Sequence, residues 1–243
     1  MKKFKAFTLI ELIIVMAVMS ILMVGIMQMM APIRDTYVDS TYYEAQRNTQ
    51  NGIATYIGES VRYATNIGIY TVGVPGGAAS LSSAISDFAT MSEVADPSKY
   101  NILVIDNNTA YTFNNATCYG RVLRSKTVSG TGMTTRLALG EAYYGKYTYS
   151  IKLTPDSTDG ATMQGLKITV SSMLPSSLKK AKNNGANNTD LVSDTSYKFV
   201  STDVEIPMRN LIAPINGKSD ISKAGSTTAN GAKTYIIYTL PEE

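Results

Sequence analysis

The residues able to do chemistry in this chain are few, and most lack the partners that such chemistry needs. The sequence contains no His, and its one Cys is Cys118. That excludes His-based triads, His-ligated metals, cysteine clusters for zinc and any intramolecular disulfide within the chain. Ser176-Ser177-Leu178-Lys179 fits an S-x-x-K nucleophile pattern, but the companion S-D-N and K-T-G sequences are absent. Asp156, Asp159 and Gly160 suggest a calcium loop without its full ligand spacing or terminal Glu, and turn chemistry accounts for them. Lys179, Lys180 and Lys182 flank an Asn-rich stretch that reads as a solvated loop rather than a phosphate-binding site. Asn107, Asn115 and Asn187 each open an N-x-Ser/Thr triplet of the kind that Asn-rich loops produce incidentally. Neither a catalytic centre nor a cofactor site is expected.

One acidic residue stands apart. Glu11 lies at the start of an apolar run that carries no charge from Leu12 to Ala31, with Ser20 and Gln28 its only clearly polar side chains. Twenty helical residues rise about 30 Å, the thickness of a bilayer's hydrocarbon core. Apolar residues occupy every face of that helix, so it spans a membrane or sits inside a bundle of similar helices. A carboxylate at the edge of such a span costs several kcal/mol if charged and unpaired, about what a dedicated partner can offset.

The run Phe7-Thr8-Leu9-Ile10-Glu11-Leu12, behind a leader with Lys2, Lys3 and Lys5, closely resembles the N-terminal signature of type IV pilins and pseudopilins. The resemblance implies cleavage by a prepilin peptidase between Ala6 and Phe7 and N-methylation of the new Phe7 amine. It also implies that Glu11 pairs with the Phe7 amine of a neighbouring subunit during filament assembly. The family usually has Gly before the cut, where Ala6 stands here, and many members carry a mid-span Pro where this chain has Gly25. A conventional secretory signal would be cut at a small-residue site after the run. The only candidate, Met29-Met30-Ala31, is poor and precedes Pro32, so the apolar segment is expected to stay in the mature protein.

Charge supports that reading. The 22 Lys and Arg include the three leader lysines, and their removal leaves 19 basic side chains against 19 acidic. The lysines place the leader in the cytoplasm and the following chain outside. Without a net positive field, DNA is not an expected partner.

Pro32 is expected to kink or break the helix, and Thr41-Tyr42-Tyr43-Glu44, a capping-box pattern, to restart it. Ile53, Tyr56, Ile57, Val61, Ala64 and Ile67 recur at helical spacing, with Arg47, Gln50, Glu59, Arg62 and Asn66 toward the other side. Gly52 interrupts the pattern, and a glycine cluster from Gly68 to Gly77 ends it. A short helix is expected over 81–95. Strands are expected over 102–105, 110–113, 118–128, 135–139, 143–153, 163–170, 197–207 and 234–240. Turns are read at 106–108, 155–156, 159–160 and 182–190. Cys118 reads as a small buried apolar residue, and the 16 Tyr as sheet and core packing.

The fold class is therefore α+β: a long N-terminal helix, transmembrane then amphipathic, packed on a mainly antiparallel sheet domain. The organisation is a leader over 1–6, a helix over 7–70 (its 7–31 part membrane or filament core, its 40–68 part packed) and a mostly-β domain over 71–243. The resemblance implies a structural pilus subunit, membrane-held before assembly and at the cell surface after it. Its partners would be other pilin subunits, prepilin peptidase and the assembly machinery. Length favours a minor pilin, and the missing disulfide is similar to pilins of Gram-positive bacteria. A type II secretion or competence pseudopilin, and a membrane-anchored adhesin that never polymerises, are the alternatives.

Overall fold

The computed structural model describes residues 8–72, 80–107, 109–113, 116–128, 132–144, 147–156, 165–174, 177, 200–211, 216–217 and 233–241. The chain divides into two compact units, 1–45 and 46–243. Helix α1 (Leu9–Val61) is unbroken across Gly25, Pro32 and Thr41, which corrects the expected break and restart. A proline costs one backbone bond, that of the Gln28 carbonyl, and the helix tolerates the loss. Thr36 and Thr41 donate their hydroxyls to the Pro32 and Tyr37 carbonyls at 2.8 and 2.9 Å, so Thr41 is an interior residue rather than a cap.

In the first unit every described residue from Thr8 to Val38 is exposed. The second unit begins where burial does, at Gln46 and Gln50. Its β-strands are β1 (Asn66–Val72), β2 (Asn101–Asp106), β3 (Tyr111–Phe113), β4 (Ala116–Cys118), β5 (Arg121–Val128), β6 (Gly132–Leu137), β7 (Thr148–Asp156), β8 (Gly165–Met173), β9 (Val200–Pro207), β10 (Asn216–Gly217) and β11 (Lys233–Thr239). Two further helices are α2 (Leu81–Ser92) and the single turn α3 (Glu141–Tyr144). A six-stranded sheet has the order β10-β1-β11-β2-β5-β6, antiparallel except for the short β1–β10 pair, and β7-β8-β9 form a second antiparallel sheet. The expected α+β architecture is the one observed.

The helix ends at Val61, not near residue 70, and Ile67 belongs to β1. β1 lies between β10 and β11 and is buried on both faces, so its side chains show no alternation to separate a strand from a helix. Two apolar clusters flank the larger sheet. Ile53, Ala54 and Ile57 of α1 meet Leu103, Ile105 and Val122 on one face, together with Ile151, Ile168 and Val170 of the second sheet. Ala84 and Phe88 of α2 meet Ile102, Val104 and Ile237 on the other. Alternate residues of β2 thus serve opposite layers. Ser80 opens α2 with a reciprocal cap to Ser83, and α2 ends three residues short of the expected 95.

Buried polar residues join these layers. Gln50, expected on the solvent side, is fully buried; its amide nitrogen donates to Ser172 Oγ and to the Val200 carbonyl at 2.8 and 2.7 Å. Its amide oxygen accepts from Thr202 Oγ1 at 2.6 Å, so the group bridges α1 to β8 and β9. Asn66 is also buried, again against expectation, and donates to Thr239 Oγ1. Asn107 gives its amide N–H to the Ile151 carbonyl and takes the Ile151 N–H, acting as a backbone-like bridge between the two sheets. Gly52 leaves room for the Tyr143 ring, which an added Cβ would approach to 2.7 Å. Pro155 and Asp156, expected in a turn, continue β7 opposite Leu166 and Gly165. The expected 118–128 strand is divided between β4 and β5, and the expected 143–153 strand starts inside α3.

Burial pushes the phenols of Tyr144 and Tyr149 up, and that of Tyr70 up to about 12. The unfolded chain releases these protons near pH 10, while the folded one holds them. Above that pH the unfolded state binds fewer protons, so stability is complete below pH 10 and declines as pH rises further. We expect alkaline unfolding to begin there, with the last part of the tyrosinate absorbance rising together with the loss of circular dichroism. Complete tyrosinate absorbance while the fold persists would contradict the burial of Tyr70, Tyr144 and Tyr149.

Candidate assembly site at the helix N-terminus

Thr8 and Glu11 form a reciprocal cap at the first turn of α1. The Thr8 backbone N–H donates to Glu11 Oε2 at 2.9 Å, and the Glu11 N–H donates to Thr8 Oγ1 at 3.4 Å. The Thr8 hydroxyl also donates to Oε2, at 2.9 Å. This is the capping-box arrangement, Thr at the cap and Glu three residues on, and it satisfies N–H groups that the helix itself leaves open. The same T-x-x-E pattern that marks Thr41 and Glu44 is present at Thr8 and Glu11, so this cap is legible in the sequence.

Both side-chain bonds converge on one oxygen. Among the described residues Glu11 Oε1 carries no hydrogen bond. The carboxylate is thus held in one orientation with half of its accepting capacity uncommitted. Ala6 and Phe7, the expected cleavage pair, lie outside the described residues. Beyond Glu11 the helix offers a continuous apolar exterior, from Leu12 and Ile13 through Met23 and Val24 to Met30 and Ile33, all more than half exposed. Ser20 returns its hydroxyl to the Met16 carbonyl at 2.8 Å, which removes its polarity from the outer surface. α1 is long and apolar enough to cross a membrane.

Thr8→Ala removes the cap's acceptor and donor while leaving Glu11. Such a change costs about 1 kcal/mol, so the Glu11 amide should exchange about fivefold faster in detergent-solubilised protein. Thr8→Ser should exchange like the parent. Equal protection in the Ala variant would mean that the cap contributes nothing.

Cys118 is buried and burial pushes its thiol up, consistent with a packing role. Asn107 is 3 % exposed with its amide engaged, so its triplet is no modification site in the folded chain. Of the S-x-x-K stretch only Ser177 is described; Lys179, Lys180, Lys182, Asp159, Gly160, Asn115 and Asn187 fall outside.

Residues 1–27 match the family model of the prokaryotic N-terminal methylation motif, the signature of type IV pilins and pseudopilins. The chain carries that signature ahead of an α+β domain. No curated protein and no solved structure matches it.

Proposed function

We propose that the chain is a structural subunit of a type IV pilus, of the minor class that its large β-rich domain resembles. The leader over 1–6 is removed at Ala6–Phe7 and the Phe7 amine is methylated. Before assembly the 7–31 segment crosses the cytoplasmic membrane once, with the rest of the chain outside. On assembly the segment leaves lipid for a bundle of like helices. That transfer gains little hydrophobic energy, so packing and polar pairing drive it. Glu11 supplies the polar pair by meeting a neighbour's Phe7 amine, which sets the axial offset between subunits.

The observation that carries this reading is the Glu11 carboxylate, pinned by Thr8 through one oxygen at the head of an exposed apolar segment that carries no charge from Leu12 to Ala31. Pseudopilins share the same motif, so a short secretion or competence filament is the second reading. Immunolabelling decides between them. Label along fibres sheared from whole cells supports the pilus; label confined to the envelope overturns it in favour of the secretion filament.

A further inference from the structure

The hairpin of β5 and β6 ends the larger sheet, and β6 is its outermost strand. Thr134, Thr135, Arg136 and Leu137 are all exposed, and no described strand pairs with the far side of β6. Its outward N–H and carbonyl groups form a row open to another strand. The hairpin is also basic: residues 107–140 hold Arg121, Arg124, Lys126 and Arg136 and no carboxylate. Arg121 turns to the buried Asp106. The other three are exposed, and none enters an ion pair among the described residues.

The two faces of the hairpin differ. Arg124 and Arg136 stand directly opposite each other, as do Lys126 and Thr134, and Arg124 is in register with Leu103 of the α1-packed face. The three cations therefore share one face. On the other face Leu123 pairs with Leu137 and Ser125 with Thr135, and Leu123 packs against the α2 side of the sheet. One outward cation is enough to blunt an edge strand against unwanted pairing. A second arginine directly across from it adds repulsion between the strands and no further protection. An anion shared by the two guanidinium groups removes that repulsion.

We propose that β6 accepts an extended acidic segment of another protein as an added strand, with its carboxylates over Arg136, Arg124 and Lys126. Backbone bonds to β6 supply the attachment, and the cations select the sequence. The added strand lies about 5 Å beyond β6 and about 10 Å beyond β5, a gap that a Glu side chain and an arginine together span. Because side chains alternate between faces, the segment carries acidic residues at every second position. β-branched or apolar residues stand between them, on the side of Leu137. A patch of charge alone requires no such alternation. The contact is solvated and weakens with added salt.

The probe is the end-capped peptide Glu-Val-Glu-Thr-Glu-Val, titrated calorimetrically into detergent-solubilised full chain. It should bind saturably below about 1 mM and slow hydrogen exchange along β6. The same composition reordered as Glu-Glu-Glu-Val-Val-Thr, or the first peptide N-methylated throughout, should bind at least about tenfold more weakly. Arg136→Glu should weaken peptide binding about tenfold while raising the melting temperature, because the new carboxylate opposite Arg124 turns repulsion into attraction. Arg136→Gln should weaken binding in the same direction. Equal binding by the reordered or N-methylated peptide would reduce the patch to a general polyanion surface and overturn strand addition. No saturable binding, or a folded Arg136 variant that binds like the parent, would overturn the site itself. The filament reading stands under every one of these results.

Discussion

Glu11→Ala is expected to leave membrane insertion intact and to remove the chain from sheared filaments. Breaking a buried ion pair by deleting one partner costs about 3–5 kcal/mol, enough to reduce incorporation more than about a hundredfold. The structure shows why Ala alone is an ambiguous test, because it also deletes the Thr8 cap. Glu11→Gln separates the two. Its amide oxygen can still accept from the Thr8 N–H and hydroxyl, so the first turn is kept while the charge is lost. If pairing with a neighbour's amine is the role of Glu11, the Gln variant fails to assemble as fully as Ala. Recovery of the Gln variant at the parent level would reduce Glu11 to a helix cap.

Among the described glycines of the β-rich unit, Gly120→Ala should be the most damaging single methyl. Gly120 has φ +79°, in the left-handed region, and its Cβ would lie 2.1 Å from the Tyr149 carbonyl oxygen. The obstacle is backbone, fixed where Tyr149 donates its own N–H to the Tyr119 carbonyl at 2.8 Å. A left-handed non-glycine costs about 1–2 kcal/mol, and relieving the clash means parting the 119–120 turn from β7, for about 3 kcal/mol or more in all. In a domain of this size that lowers the Tm by about 6–12 °C, measurable on detergent-solubilised full chain. Gly25→Ala is the control, since its Cβ would meet nothing within 4 Å. A Gly120 variant that melts with the parent would contradict the packing of this turn on β7.

What the sequence disclosed, and what it hid, follows from where the information lies. The apolar run and Glu11 were legible because a span and its lone carboxylate are both local in sequence. The cores of β2, β8 and β11 were legible as apolar segments bounded by turns. β1 was not: a strand buried on both faces lacks a two-residue period, and Ile67 continued the helical spacing of Ile53 and Ile57 by coincidence. Gln50 and Asn66 misled for a related reason. Their polarity is satisfied by Ser172, Val200, Thr202 and Thr239, partners 122 to 173 residues away that no local pattern reveals. Gly120 divides what looked like one strand because of a positive φ that only the approach of Tyr149 demands. Thr8 was the opposite case, local and readable through a pattern already applied to Thr41.

The account stands on processing at Ala6–Phe7 followed by assembly, and one measurement reaches both. Mass spectrometry of the N-terminal peptide from protein sheared off whole cells should find a chain beginning at N-methylated Phe7. A peptide still beginning at Met1, recovered only with membranes, would make the helix an uncleaved anchor and remove the role assigned to Glu11.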